Sequence, residues 1–200
     1  MSVVRRRRRN AGGGTNAWTF SEQLDNAAWT LITADSAYTI DAVAAPDGTI
    51  SAEKVRATTV TNTNHGFSRA MPAGVTANVK QTVSFYVKPA EKNWCWVRMT
   101  AKDATVRTGW FNAATGANGT VNASLTFRSS FVGNGWYRLS ITTDPLAGAG
   151  AGLVEIGFCD VDNARAYASV IGDGMYFWGL QFELNTLFPG AYVKTTNNPI

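Results

Sequence analysis

Histidine occurs once and cysteine twice in 200 residues. With His65 as the single imidazole, any nucleophile–histidine–acid arrangement would depend wholly on it, and no nucleophile elbow or cysteine motif accompanies it. His65 falls in "TNTNHG", read as a polar loop. The same scarcity removes Cys/His metal clusters. Cys95 and Cys159 are far apart, and nothing indicates an oxidising compartment, so two small buried thiols are expected rather than a disulfide. Long apolar runs are missing as well. None approaches the roughly 18 residues of a membrane span, and glycines and asparagine, not an apolar stretch, follow the basic start, so neither a membrane segment nor a signal peptide is expected. Mid-strand carboxylates are few. Only Glu155 and Glu183 qualify, and Glu155 falls on an outward face, so a glycosidase pair is not expected. The chain reads as no enzyme.

Helical periodicity persists nowhere. Instead, short runs rich in Val, Thr, Phe, Tyr and Trp alternate with Gly, Asn, Asp and Pro clusters. Strands are expected at Trp29–Thr33, Lys54–Thr59, Gly66–Met71, Val79–Lys88, Trp94–Ala101, Arg107–Phe111, Ser124–Val132, Trp136–Thr143, Gly152–Asp160, Gly174–Leu184 and Ala191–Lys194. Turn chemistry separates them, as in "APDGT" at 45–49 and "GNG" at 133–135. So many strands with wide connections imply an all-β fold: two packed antiparallel sheets forming a jelly-roll-like sandwich. Residues 17–200 are assigned to it, and residues 1–16 to a flexible Arg/Gly-rich arm.

Alternation sorts side chains onto faces. Val79, Val83, Phe85 and Val87 form one core face; Cys95, Val97, Met99 and Ala101 another; Tyr137, Leu139 and Ile141 a third. In "GMYFWGLQFEL", Tyr176, Trp178, Leu180, Phe182 and Leu184 read as buried, with Met175, Phe177, Gln181 and Glu183 opposite. Tyr86, Trp94, Trp96, Arg98, Trp136, Arg138, Phe177, Gln181 and Glu183 are then left away from the core, where they could meet on one sheet face. Rings beside planar hydrogen-bonding groups suit sugar binding. They equally suit a face covered by a long loop or buried in an oligomer interface, and Arg98 or Arg138 could simply pair with Glu183. Seven tryptophans exceed what one small sandwich needs, which favours a homo-oligomer, a trimer first.

Charge is concentrated at one end. The formal charge is +4 from 18 basic and 14 acidic residues. Without Arg5, Arg6, Arg7, Arg8 and Arg9 there are 13 basic residues against 14 acidic, a balance of −1. A near-neutral body behind a basic arm suggests a local contact rather than a nucleic-acid surface. The arm reads as a solvated tail, a phosphate binder, an address signal or an anchor on an acidic protein surface, and the anchor is favoured.

"FSEQLDNAAWT", "APDGTISAEKV", "VSFYVKPAE", "GNGWYRLSIT", "YFWGLQFEL" and "PGAYVKTT" occur in that order. Together they resemble the carbohydrate-binding-module-like β-sandwich domains of tailed-bacteriophage virion structural proteins, over roughly residues 17 to 196. The resemblance implies a non-enzymatic protein on the phage particle surface: a capsid decoration or head-fibre-like protein, docked on capsid or other virion proteins by its arm. The other reading is a glycan-binding adhesion module of a tail fibre, holding host polysaccharide on the aromatic face. Sugar-binding sandwiches often carry structural calcium, and Asp160, Asp162 and Asp173 in "DVDNARAYASVIGDG" are the oxygen ligands on offer. No other cofactor is implied. The chain ends just after "PGAYVKTT", so the sandwich and arm are expected to do the whole job.

Overall fold

The structure, a computed structural model, describes residues 15–73, 75, 77–101, 103–122, 124–145 and 152–200. The five arginines of the arm lie outside the described residues. Among those described, thirteen strands run β1 (Thr30–Leu31), β2 (Ser36–Ala44), β3 (Ile50–Ala57), β4 (Asn62–Ala70), β5 (Gln81–Pro89), β6 (Trp94–Thr100), β7 (Val106–Asn112), β8 (Ala117–Val121), β9 (Leu125–Gly133), β10 (Trp136–Thr143), β11 (Leu153–Cys159), β12 (Ala166–Ala168) and β13 (Gly174–Leu184). One sheet has the order β1-β4-β11-β6-β7-β8, with β12 beside β4; the other has the order β2-β3-β13-β5-β10-β9. Every pairing is antiparallel. The fold is the expected all-β sandwich.

The core lies between the sheets. Phe67, Val97, Met99, Phe111 and Ile156 come from one, and Val55, Val83, Phe85, Leu139, Phe177 and Phe182 from the other. Period-2 alternation explains most of this packing. The β9–β10 hairpin closes as its sequence implies: Asn134 and Gly135 both have positive φ, the signature of a two-residue turn that matches strand twist.

The structure corrects the alternation in β13. Gly179 has φ +62° and sits in a bulge, where the register to β5 shifts between Trp178 and Gln181. The extra residue reverses the phase of the strand. Met175 and Phe177 therefore face the core, while Tyr176 and Trp178 face outward; beyond the bulge Leu180 and Phe182 face in, and Gln181 keeps its outward place. Gly179 also admits the neighbouring chain closely, because a Cβ there would meet the Tyr86 ring at 2.9 Å.

Three strands were not expected. β2 is broken by Asp41 at φ 47° and a register shift, β8 ("ANGTV") is built largely from turn-forming residues, and β12 has three residues. The expected strand Ala191–Lys194 is absent; those residues form part of an irregular strap. The strap reaches the N-terminal segment, where the Ser21 and Phe20 amides donate to the Thr195 and Thr196 carbonyls. Asn16, expected in the arm, is fully buried there, and its side chain bonds the backbone of Trp18, Leu180, Phe182 and Val193.

The N-terminal segment also covers a carboxyl. Glu53 of β3 is buried, and its Oε1 accepts the Leu24 amide at 2.9 Å. Its Oε2 and the Tyr38 hydroxyl are both buried without a hydrogen-bond partner. Burial, with the Asp25 charge nearby, pushes the Glu53 carboxyl up to about 8.

Candidate functional site

The nine residues expected on one outer face occupy three places. Tyr86, Trp136, Arg138, Gln181 and Glu183 lie outside the six-stranded sheet. Trp94, Trp96 and Arg98 lie outside the other sheet, because β6 belongs to it. Phe177 is in the core, with its ring centroid 5.2 Å from that of Phe67.

Outside the six-stranded sheet, the strap of residues 186–195 lies across the polar side chains. Gln181 donates to the Ala191 carbonyl at 3.3 Å and accepts the Val193 amide at 2.8 Å. The Glu183 carboxylate accepts the Gly190 amide at 3.0 Å, and Arg138 donates to the Gly190 carbonyl at 2.7 Å. Thr82 reaches the Thr186 carbonyl at 3.0 Å. Tyr192 of the strap packs its ring 4.6 Å from Trp178 and 5.9 Å from Tyr86. Trp136 completes this cluster and donates its indole N–H to the Ala44 carbonyl at 3.1 Å. Burial raises the phenols of Tyr86 and Tyr192 above their ordinary range.

Outside the seven-stranded sheet, residues 160–165 are the cover. Arg165 lies 5.3 Å above the Trp96 ring, and burial lowers its guanidinium below the usual range. Trp96 is fully buried and directs its N–H to the Phe158 carbonyl at 3.3 Å. Trp110, beside it in the register, donates to the Ala164 carbonyl at 2.9 Å. Trp94 is half-buried. Arg98 pairs with Glu155 directly across from it on β11. Neither Arg98 nor Arg138 pairs with Glu183.

The calcium candidates do not converge. Asp162 accepts the Thr120 amide at 2.8 Å, whereas Asp160 and Asp173 share the Lys92 ammonium. Among the described residues no group of three His, Cys, Asp or Glu side chains is placed to hold a metal ion.

His65 lies in strand β4, not in a loop. It is fully buried, stacked on Phe158, with Nδ1 3.2 Å from the Ser36 hydroxyl. Burial lowers its pKa, which favours the neutral ring. Nε2 is buried without a partner, so no carboxylate orients the imidazole. Cys95 and Cys159 are free and buried, and burial pushes the Cys159 thiol up to about 12.

Two openings flank the strap among the described residues, the smaller of about 270 Å³ beside Glu22, Ser51 and Lys194. Where the strap meets β9 and β10, a groove of about 420 Å³ is lined by Tyr86, Arg128, Ser130, Arg138, Ser140 and Phe188. Arg128 lies 4.1 Å above the Phe188 ring. Sequence reasoning placed Tyr86 and Arg138 in a candidate face and missed the rest. Arg128 carried a usable signal, since it alternates with the half-buried Phe127 and Ser129. Phe188 carried none, because its strap has no regular period.

The fold is shared with part of a phage tailspike. The crystal structure of the enzymatically active domain of tailspike protein 4 from bacteriophage CBA120 aligns with a TM-score of 0.52 and 14% identity, over 85% of this chain and 21% of that one. This chain thus spans about a fifth of the tailspike chain's length, and at that identity the likeness concerns the fold alone. Two structures of the flagellar cap protein FliD from Escherichia coli align at TM-scores of 0.24 and 0.21, with 16% and 17% identity, over 90% and 74% of this chain and 55% and 93% of theirs. No family model matches the chain, and no curated protein matches it.

Proposed function

We propose that the protein is a non-enzymatic structural component of a phage particle, a capsid decoration or head-fibre-like protein docked on the particle surface by Arg5–Arg9. The observation that carries this reading is a contrast between the ends of the chain's chemistry: a cluster of arginines on one side, and a near-neutral body that closes its own aromatic faces on the other. Six of the seven tryptophans are buried and Trp94 is half-buried. A polysaccharide-stacking module keeps ring faces open to solvent; here the rings stiffen the sandwich. The fold shared with a stretch of a phage tailspike chain supports a virion setting. Arginine forks suit carboxylates and carbonyls on a protein shell better than a point charge would.

The partners in this reading are virion proteins and further copies of the chain, with a trimer favoured. Exposed apolar side chains support self-association: Val60 and Val170 flank the bond from Ser169 to the Thr59 carbonyl, and Phe131 and Val132 stand on the edge strand β9. No cofactor takes part.

The test is incorporation. A chain carrying Arg5→Gln through Arg9→Gln is expected to fold normally and to be missing from purified particles. Normal incorporation would sink the anchor. A second reading, the glycan-binding adhesion module, is favoured by one observation, the open groove with its exposed Phe188.

A further inference from the structure

We infer that the groove between the strap and the β9–β10 edge binds an acidic sugar residue, a carboxylate-bearing pyranose of an anionic polysaccharide. Strand pairing builds the site. Ser140 lies opposite Arg128, and Arg138 opposite Ser130, so two guanidiniums and two hydroxyls share one outward patch. Neither arginine has a carboxylate within ion-pair distance among the described residues. Arg138 donates only to neutral acceptors, the Gly190 carbonyl and the Ser84 hydroxyl, and its Nε is buried with no partner. A half-buried guanidinium without a counter-ion is costly, and two of them facing one groove repel each other. A carboxylate between them relieves both costs.

The rest of the lining selects a sugar over a bare anion. Phe188 stands in the groove wall and is still 52% exposed. Its ring offers an apolar surface for the C–H face of a pyranose. Ser130 and Ser140 can both donate and accept, which matches ring hydroxyls. The volume, about 420 Å³, falls within the range of small-ligand sites. A nucleic-acid strand would need a continuous basic track, and only two cations line this groove.

The site lies in the sandwich and not in the arm, so it stands or falls separately from the particle anchor. The test removes the arm's charge first. Isothermal titration uses the full chain carrying Arg5→Gln through Arg9→Gln, with tetragalacturonate, maltotetraose and inorganic phosphate as probes. Saturable binding of tetragalacturonate at millimolar or lower concentration is expected, with none for maltotetraose. Arg128→Gln in that background should weaken binding about tenfold or more, the cost of a lost charge-assisted hydrogen bond. Phe188→Ala should also weaken it. Both residues are surface-exposed, and unchanged thermal melts establish that the variants fold. No saturable binding of tetragalacturonate overturns the inference, as do equal binding of maltotetraose or an Arg128→Gln variant that binds undiminished. Phosphate binding as tight as tetragalacturonate would reduce the groove to an anion site and overturn the sugar.

Discussion

On the strap side, the six-stranded sheet meets its cover with polar side chains. Thr82, Arg138, Gln181 and Glu183 each bond a backbone group of residues 186–193. On the opposite side, the seven-stranded sheet meets residues 160–165 with rings as well as polar groups: Arg165 lies over Trp96, Trp110 donates to the Ala164 carbonyl, and Asp162 accepts the Thr120 amide of β8. Hydrogen bonds to an irregular backbone need individual alignment, and at the strap's edge they give way to a groove with unpaired arginines. Ring packing is less directional and fills space. Outward aromatics and planar polar groups thus identify a covered face as readily as a ligand platform. Where a ligand site does remain, it is at the place where the chain's own backbone fails to satisfy the side chains.

The largest expected effect is on the ring-covered side. Trp96→Ala should cost about 3–5 kcal/mol of unfolding free energy, because the ring is fully buried under Arg165. Trp94→Ala, at a half-buried position, should cost clearly less. Denaturant melts of both variants beside wild type check this; an unchanged Trp96→Ala melt would mean that the cover is not seated.

Glu53 sharpens the contrast from beneath the six-stranded sheet. Its carboxyl is raised to about 8 from an ordinary 4.5. The folded protein therefore holds a proton that the unfolded chain releases above about pH 4.5, so this group's effect is falling stability as pH rises from about 4.5 to 8, flat beyond. Its contribution should total roughly 3–5 kcal/mol, read as the difference in pH dependence between wild type and Glu53→Gln. Equal slopes in the two proteins would show that the carboxyl is ionised in the fold.

Next comes the strap. Gln181→Ala leaves the Ala191 carbonyl and Val193 amide unpaired and should cost about 1–3 kcal/mol. Hydrogen exchange should speed up in residues 186–195 while the β6 amides stay protected. Uniform protection throughout would mean that the strap does not depend on this side chain. The smallest effect is Arg165→Ala, about 0.5–1 kcal/mol, the loss of one cation–π contact. A larger loss would make residues 160–165 a polar cover like the strap.

Much of the fold was legible from local pattern. The strands β4, β5, β6, β7, β10 and β11 follow alternation, and the Asn134–Gly135 turn follows from its residues. β13 was half legible: its extent followed from the pattern, but the bulge at Gly179 did not, and the phase reversal it causes put Phe177 in the core and Trp178 out of it. The candidate site was less legible. Which of two sheets a strand joins is not written in its period, so Trp94, Trp96 and Arg98 were grouped with residues of the opposite face. His65 was hidden by its polar neighbours, although a strand beside β11 and β12 buries it.

By itself the sequence determined the strand alternation, the hairpin turn, the excess of rings and the separation of a basic arm from a near-neutral body, because each is a property of residues close together in the chain. Only the tertiary structure decided which outward faces are covered and by what. The bonds from Gln181, Glu183 and Arg138 to the strap, and the seating of Arg165 on Trp96, join side chains to backbone or rings through folding geometry that no local period encodes. The groove at Arg128 and Phe188 exists for the same reason: it is the space left where the strap stops short of the β9 edge of the sheet.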